Sequence, residues 1–181
     1  MDRYNLLEKL QHYFPCASEE VAAKKRMIAF IEEHIDCFER SLAIGHMTAS
    51  AWLLNNDKTT ALLMHHAKLN KWLQLGGHCD GNEDVLAVAI KEAQEESGIQ
   101  HIVPVSSDIF DIDIHRISAT SHEPEHDHYD VRFLLQVTSD EKIVQNRESK
   151  ELRWISKERA TLPTDELSVV RLYNKWLTIY Q

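Results

Sequence analysis

Residues 76–99 read GGHCDGNEDVLAVAIKEAQEESGI, and this stretch decides how the rest of the chain is understood. It holds six acidic side chains in twenty-four residues. Asn82 is placed to cap a helix beginning near Glu83, and Gly98 suits the left-handed residue that ends one. At about 100° per residue, Val85, Leu86, Ala89, Ile90 and Ala93 form one apolar stripe, and Glu92, Glu95 and Glu96 cluster along its edge. Like charges at i, i+3 and i+4 cost an isolated helix roughly 0.2–0.5 kcal/mol per pair, so a purely structural helix gains nothing from them. A divalent cation reverses that balance, and carboxylate oxygens on a rigid scaffold suit Mg²⁺ or Mn²⁺ with substrate phosphates at the remaining positions. The ordinary alternative is a solvated acidic face.

Around this segment the chain has an unexceptional composition. With 181 residues, 43% of them hydrophobic, it is long enough for one compact domain plus an extension. The start MDRYNLLEKLQ lacks the basic and apolar pattern of a signal peptide, and no apolar run reaches the roughly 18 residues of a membrane span, so a cytoplasmic protein without a membrane partner is expected. Cys16, Cys37 and Cys79 are odd in number and contain no CxxC pair, which speaks for reduced thiols. A net charge of −9 opposes a stable nucleic-acid partner and leaves small phosphorylated ligands open.

Helical spacing marks 2–14 (Leu6, Leu7, Leu10, Phe14) and 19–38 (Val21, Met27, Ile28, Ile31, Ile35), with Ser18 as a helix start. From Gly45 the pattern changes to two strands joined at Asn55 to Lys58, a hairpin with polar turn residues. Strands are predicted at 109–117 and 129–137, separated by the loop SATSHEPEHD, and a short one at ELRWI. A final helix follows Pro163, with Thr164 as candidate cap. One α+β domain over residues 41–181, preceded by a helical extension over residues 1–40, is the simplest account. The extension's apolar faces must pack somewhere, either covering a site or forming a homodimer interface.

The acidic segment resembles the Nudix box: a glycine, five residues, a glutamate, seven residues, then Arg-Glu-aliphatic-x-Glu-Glu-x-Gly-aliphatic. Gly77, Glu83, Glu92, Ala93, Glu95, Glu96, Gly98 and Ile99 occupy its fixed places, and Lys91 stands where the family usually has arginine. With the flanking strands the resemblance covers about Gly45 to Ile155. It implies an α/β/α sandwich with a mixed sheet. It also implies hydrolysis of a nucleoside diphosphate linked to another moiety, with Glu92, Glu95 and Glu96 as metal ligands and Gly76 or Gly77 supplying a loop carbonyl. Lysine is a point charge on a flexible stem where arginine offers a planar fork, so the Lys91 departure bears on how a neighbouring catalytic glutamate is oriented.

A second constellation comprises His46, His78 and the alternating His126, His128 and Asp130, the last three sharing one strand face. It is similar to isopentenyl diphosphate isomerase, a Nudix-fold enzyme, with His126 and His128 at the places of two acids. Histidine nitrogen favours Zn²⁺, Fe²⁺ or Mn²⁺ over Mg²⁺, so this set is a candidate second metal site. Alternatively His126 and His128 lie in a polar loop. His65 and His66 are adjacent, point to opposite strand faces and are expected to end a strand near solvent.

The general base is sought among Glu123, Glu125, Glu148 and Glu151, with Glu148 favoured by its place before a strand that should approach the site. Lys71 and Arg132 are candidate phosphate contacts. Trp52 and Trp154 are expected in the core, while Trp72 is either core or a stacking surface. After the box, neither the proline typical by resemblance of ADP-ribose hydrolases nor the tyrosine typical of diadenosine polyphosphate hydrolases stands at the expected distance. The coenzyme A and NADH patterns are also missing. The expectation is a metal-dependent hydrolase of a nucleoside-diphosphate derivative. Its rivals are an isomerase, weakened because Cys79 follows His78 instead of preceding the metal histidine, and a ligand sensor, weakened because the box glutamates are intact.

Overall fold

The computed structural model describes residues 1–120, 124–138 and 142–179. In chain order it contains α1 (Arg3–His12), α2 (Ser18–Glu33), β1 (Gly45–Leu54), β2 (Thr60–His66), β3 (Trp72–Leu73) and β4 (Leu75–His78). There follow α3 (Val85–Ser97), β5 (Ile102–Pro104), β6 (Asp111–Ile117), β7 (His126–Val137), β8 (Ser149–Ser156) and α4 (Leu167–Ile179). The strands form a mixed sheet of order β3-β2-β1-β7-β5, with β4 added to β1, β6 to β7 and β8 to β2. All ten residues of β1 are buried, as expected of a strand covered on both faces. No helix among the described residues is long and apolar enough to cross a membrane.

By contacts the chain divides into two compact units. The first comprises Met1–Ser50, Gly77–Ala89 and Ser107–Phe133. Its core includes Leu6, Leu10, Met27, Phe30, Ile31, Met47, Ile112 and Phe133. Asp2 caps α1 by accepting the Asn5 N–H at 2.9 Å. The Arg3 guanidinium donates to the carbonyls of Ile31, His34 and Ile35, which satisfies acceptors that the end of α2 leaves open. Phe30 of α2 stacks on Tyr129 of β7, with centroids 3.9 Å apart. At Gly45 a Cβ would stand 2.5 Å from the Asp127 carbonyl oxygen, so only glycine lets β1 begin this close to β7, one residue before His46.

The second unit comprises Ala51–Gly76, Ile90–Ser106 and Leu134–Gln181. Its hairpin pairs Leu53 with Leu62 and Leu54 with Ala61, as the polar turn at 55–58 predicts. Strand β8 runs antiparallel to β2, setting Trp154 opposite Leu62 and Ile155 opposite Ala61. Trp52 is buried, as expected, and Trp154 is half-buried. Helix α4 buries Val169, Leu172, Tyr173 and Trp176, a stripe at i, i+3, i+4 and i+7.

Three expectations are corrected. Helix α2 ends at Glu33, not Phe38, which leaves Ile35 85% exposed. Phe14 lies beyond the end of α1 and is 86% exposed, because the helix stops before the turn that would have carried it inward. Strand β7 begins at His126, so His126 and Asp127 belong to it and not to the preceding loop.

Candidate functional site

In the second unit, the second half of α3 carries the predicted carboxylates. Gly98, with φ of +75°, ends the helix as expected, and its N–H returns to the Gln94 carbonyl. Glu96 is 3% exposed and accepts the Gly76 N–H on Oε2 at 2.8 Å. Burial pushes its carboxyl up to about 8; the Gly76 N–H opposes that shift, and Glu92, Glu148 and Glu95 add to it by repulsion. Glu92 is half-buried and also raised, first by burial, with Lys91 pulling the other way. Glu95 is exposed. The Lys91 ammonium lies 3.1 Å from Glu92 Oε1 and 3.3 Å from Glu95 Oε2, so this side chain bridges two of the three carboxylates.

Other predicted residues of this unit have defined partners. Glu148 is exposed and contributes to the repulsion felt by both Glu92 and Glu96, while its backbone carbonyl accepts the Ala67 N–H. Glu151 pairs with Arg153 at 2.6 Å. Lys71 pairs with Glu166 at 2.9 Å, both about half exposed. Trp72 is half-buried, stacked with His65 at a centroid distance of 5.0 Å, and the Arg153 guanidinium lies over its ring at 4.6 Å.

In the first unit, β1, β4 and β7 bring four histidines together. Ring centroids of His46 lie 5.0 Å from His78, 5.0 Å from His126 and 4.8 Å from His128. The donor atoms of His46, His78 and His128 all fall within 4.8 Å of one another, forming the group among the described residues with the spacing to hold a metal ion. Burial, then the neighbouring imidazoles His78 and His126 and the Arg40 charge, pushes His46 down to about 4. His128 falls to about 2, again chiefly by burial, with His115, His78, His46 and His126 adding to the shift. Both rings are therefore neutral near pH 7.

Sequence reasoning missed the row that continues this cluster. His46, Thr48 and Ser50 alternate along β1, all buried, and the Asp130 carboxylate accepts from Thr48 Oγ1 at 3.0 Å and from Ser50 Oγ at 2.8 Å. The alternation of polar 46, 48 and 50 with Met47, Ala49 and Ala51 was the available signal. Arg132, expected as a phosphate contact, is corrected. Its guanidinium is 2% exposed and donates to Asp130 at 2.7 Å and to Asp111 and Asp113 at 3.1 Å each, so its donors are committed to three carboxylates. Glu125 pairs with Arg116 at 3.5 Å, and Glu123 lies outside the described residues. The three cysteines are free thiols, with Cys37 and Cys79 buried.

A family model for the NUDIX domain matches residues 45–176. The chain belongs to the Nudix family. The match runs beyond the resemblance legible in the sequence, through β8 and most of α4. With the box glutamates in place, this Nudix domain is a pyrophosphohydrolase. No curated protein matches the chain. Among solved structures, the C. elegans Ap4A hydrolase binary complex is similar at 18% identity and a TM-score of 0.59, over 74% of this chain and 96% of that one. A NUDIX-family hydrolase from Clostridium perfringens is similar at 27% identity and a TM-score of 0.55, over 74% and 97%. The E. coli dihydroneopterin triphosphate pyrophosphohydrolase shares 14% identity at a TM-score of 0.53, over 74% and 95%. The first and third establish the shared fold.

Proposed function

We propose that this Nudix domain hydrolyses the diphosphate linkage of a small nucleoside-diphosphate derivative with Mg²⁺ or Mn²⁺ held by Glu92, Glu95 and Glu96. The observation that carries the reading is α3 itself, where three carboxylates stand on one helix edge, two of them raised by burial and mutual repulsion. The donor set fits a hard divalent cation, since it offers oxygen atoms whose repulsion such an ion relieves. When bound, the cation neutralises charge building on the diphosphate and makes a coordinated water more acidic.

The chain's own residues do the rest. Gly76 holds Glu96 through its N–H, which fixes the direction of one carboxylate. Lys91 spans Glu92 and Glu95 and offsets their mutual repulsion. Glu148 serves as the base that takes the water's proton. Attack forms one P–O bond and breaks the bridging P–O bond, giving two phosphate products with the water oxygen on one of them. Lys71 is positioned in this reading as a phosphate contact that exchanges Glu166 for substrate. Residues 41–181 carry the reaction and residues 1–40 are the extension.

The test is cleavage of a panel of nucleoside-diphosphate compounds in ¹⁸O-water, with products read by mass spectrometry beside Glu95→Gln. One ¹⁸O on a single phosphate product, with turnover lost in the variant, is expected. Failure to cleave any compound with either metal restored overturns the reading.

A further inference from the structure

His46 is the most unusual polar side chain in the first unit. It is 3% exposed, and neither ring nitrogen makes a hydrogen bond of good geometry, the Leu42 backbone bearing only weakly on the ring. A buried polar group without a partner costs roughly 1–3 kcal/mol, so such a ring points to a bound ion or an ordered water. Its neighbours are three more imidazoles. His78 comes from β4, and His126 and His128 come from β7, so the cluster rests on three strands instead of a flexible loop.

The hydrogen bonds of His126 define which atom faces inward. Its Nδ1 lies 2.8 Å from the Pro124 carbonyl oxygen, which can only accept, so Nδ1 carries the proton and Nε2 bears the lone pair. That Nε2 stands 3.2 Å from His128 Nε2. In the absence of an ion this contact is a hydrogen bond donated by His128 Nε2. Its length is close to the roughly 3.3–3.4 Å that separates two nitrogens on one tetrahedral ion at about 2.0–2.1 Å, so an ion replacing that proton needs little ring movement. A backbone carbonyl fixing the far nitrogen of an imidazole is also the usual outer support of a metal-binding histidine. The 4.8 Å span of the His46, His78 and His128 donors closes to ligand spacing with ring movements under about 1 Å.

We infer that His46, His78 and His128, with His126 as a fourth ligand, form a centre for a borderline-soft divalent transition ion such as Zn²⁺, with a donor set distinct from the α3 carboxylates. Imidazole nitrogen binds such ions in preference to Mg²⁺, so the chain would carry two sites of opposite metal preference. Inside the cluster, the ion gives one buried nitrogen of His46 a partner of good geometry that the protein does not. His115, whose ring centroid is 5.3 Å from that of His128, stands beside the cluster with Nδ1 3.4 Å from Asp113.

The test is read without turnover, so its failure and that of the hydrolase reading are distinguishable. The full chain is stripped with chelator and titrated with Zn²⁺ in millimolar Mg²⁺, with bound metal counted by mass spectrometry. A Co²⁺-loaded sample is followed by visible absorption. One tight equivalent of Zn²⁺ and d–d bands of nitrogen-bound Co²⁺ are expected. His78→Gln and His128→Gln should each weaken binding by at least about tenfold, and Glu95→Gln should leave it unchanged. Should the histidine variants misfold by circular dichroism, imidazole ¹⁵N signals of the wild-type chain decide the matter, since Zn²⁺ must shift four of them. No Zn²⁺ uptake in Mg²⁺, uptake lost in Glu95→Gln but kept in folded histidine variants, or imidazole signals unmoved by Zn²⁺ would each overturn the inference.

Discussion

The backbone N–H of Gly76 donates to Oε2 of Glu96 across 2.8 Å, joining the end of a short strand to a carboxylate twenty residues later. Burial outweighs that bond, because the Glu96 carboxyl is pushed up to about 8 in spite of it. A carboxyl that is held neutral through most of the physiological range in the folded protein, but ionises near its ordinary value when unfolded, has a definite pH signature. Its contribution to stability is fully present below about 4.5 and is lost as pH rises toward about 8. The chelator-treated protein should therefore lose thermal stability across that window, and Glu96→Gln should flatten the dependence. A pH–Tm series on both proteins checks this.

Lys91 touches two carboxylates of the same helix face at 3.1 Å and 3.3 Å, a lysine where the family usually has arginine. Replacing it with methionine removes the cation between Glu92 and Glu95. Because Lys91 and Glu95 are largely exposed, the cost should be under about 1 kcal/mol. In saturating Mg²⁺ the loss should disappear, since the added cation takes over the neutralisation. Urea denaturation with and without Mg²⁺ measures the difference.

Arg132 is the opposite case, buried with three carboxylates around one guanidinium. Arg132→Met removes the cation from the buried Asp111 and Asp130, with the Thr48 and Ser50 hydroxyls still donating to Asp130, and about 3–5 kcal/mol of destabilisation is expected at neutral pH. A conservative lysine should recover only part of it, lacking the fork that reaches three partners. Urea midpoints of the methionine and lysine variants decide whether the cluster needs the charge and the fork or packing alone; equal midpoints would point to packing.

For the general base, the structure offers a matched pair of variants. Glu148 is exposed and acts electrostatically on Glu92 and Glu96, whereas Glu151 is tied to Arg153. Glu148→Gln should lower kcat by about 10²–10⁴-fold with little change in stability, and Glu151→Gln should lower it by less than about tenfold. Turnover at saturating substrate separates the two, and equal effects would reassign the base.

Gly98 closes α3 with φ of +75°, and an added Cβ would stand 2.6 Å from the Val144 Cβ. Gly98→Ala therefore combines backbone strain with a clash, for which a loss of more than about 1 kcal/mol is expected. Since the helix end carries Glu95 and Glu96, metal affinity should fall with stability in the same titration.

The amino-acid order determined the body and the end of α3 by itself, because a glycine-terminated helix with 3.6-residue periodicity is a local object and its three glutamates share an edge wherever it packs. Its start differs from the expected one: the helix begins at Val85, and Asp84 in place of Asn82 caps it by accepting the Ala87 N–H at 3.0 Å. It likewise determined the hairpin at 55–58 and the last helix, whose signals are turn residues and spacing. The end of α2 was not determined in this way. Ile35 and Phe38 continue the apolar period, yet the chain turns at His34, where Arg3 from another helix takes up the carbonyls. The fate of Arg132 and the four histidines was decided only by strand pairing. Period-2 alternation says which residues share a face of one strand, but not which strand lies opposite. The register Asp113 to Asp130 and Asp111 to Arg132 turned an apparent phosphate contact into the centre of a buried charge cluster. Strand pairing also set His46 beside His78 and His128, residues separated by more than thirty and eighty positions in the chain. A local pattern carries no information about such distant neighbours until the sheet has formed.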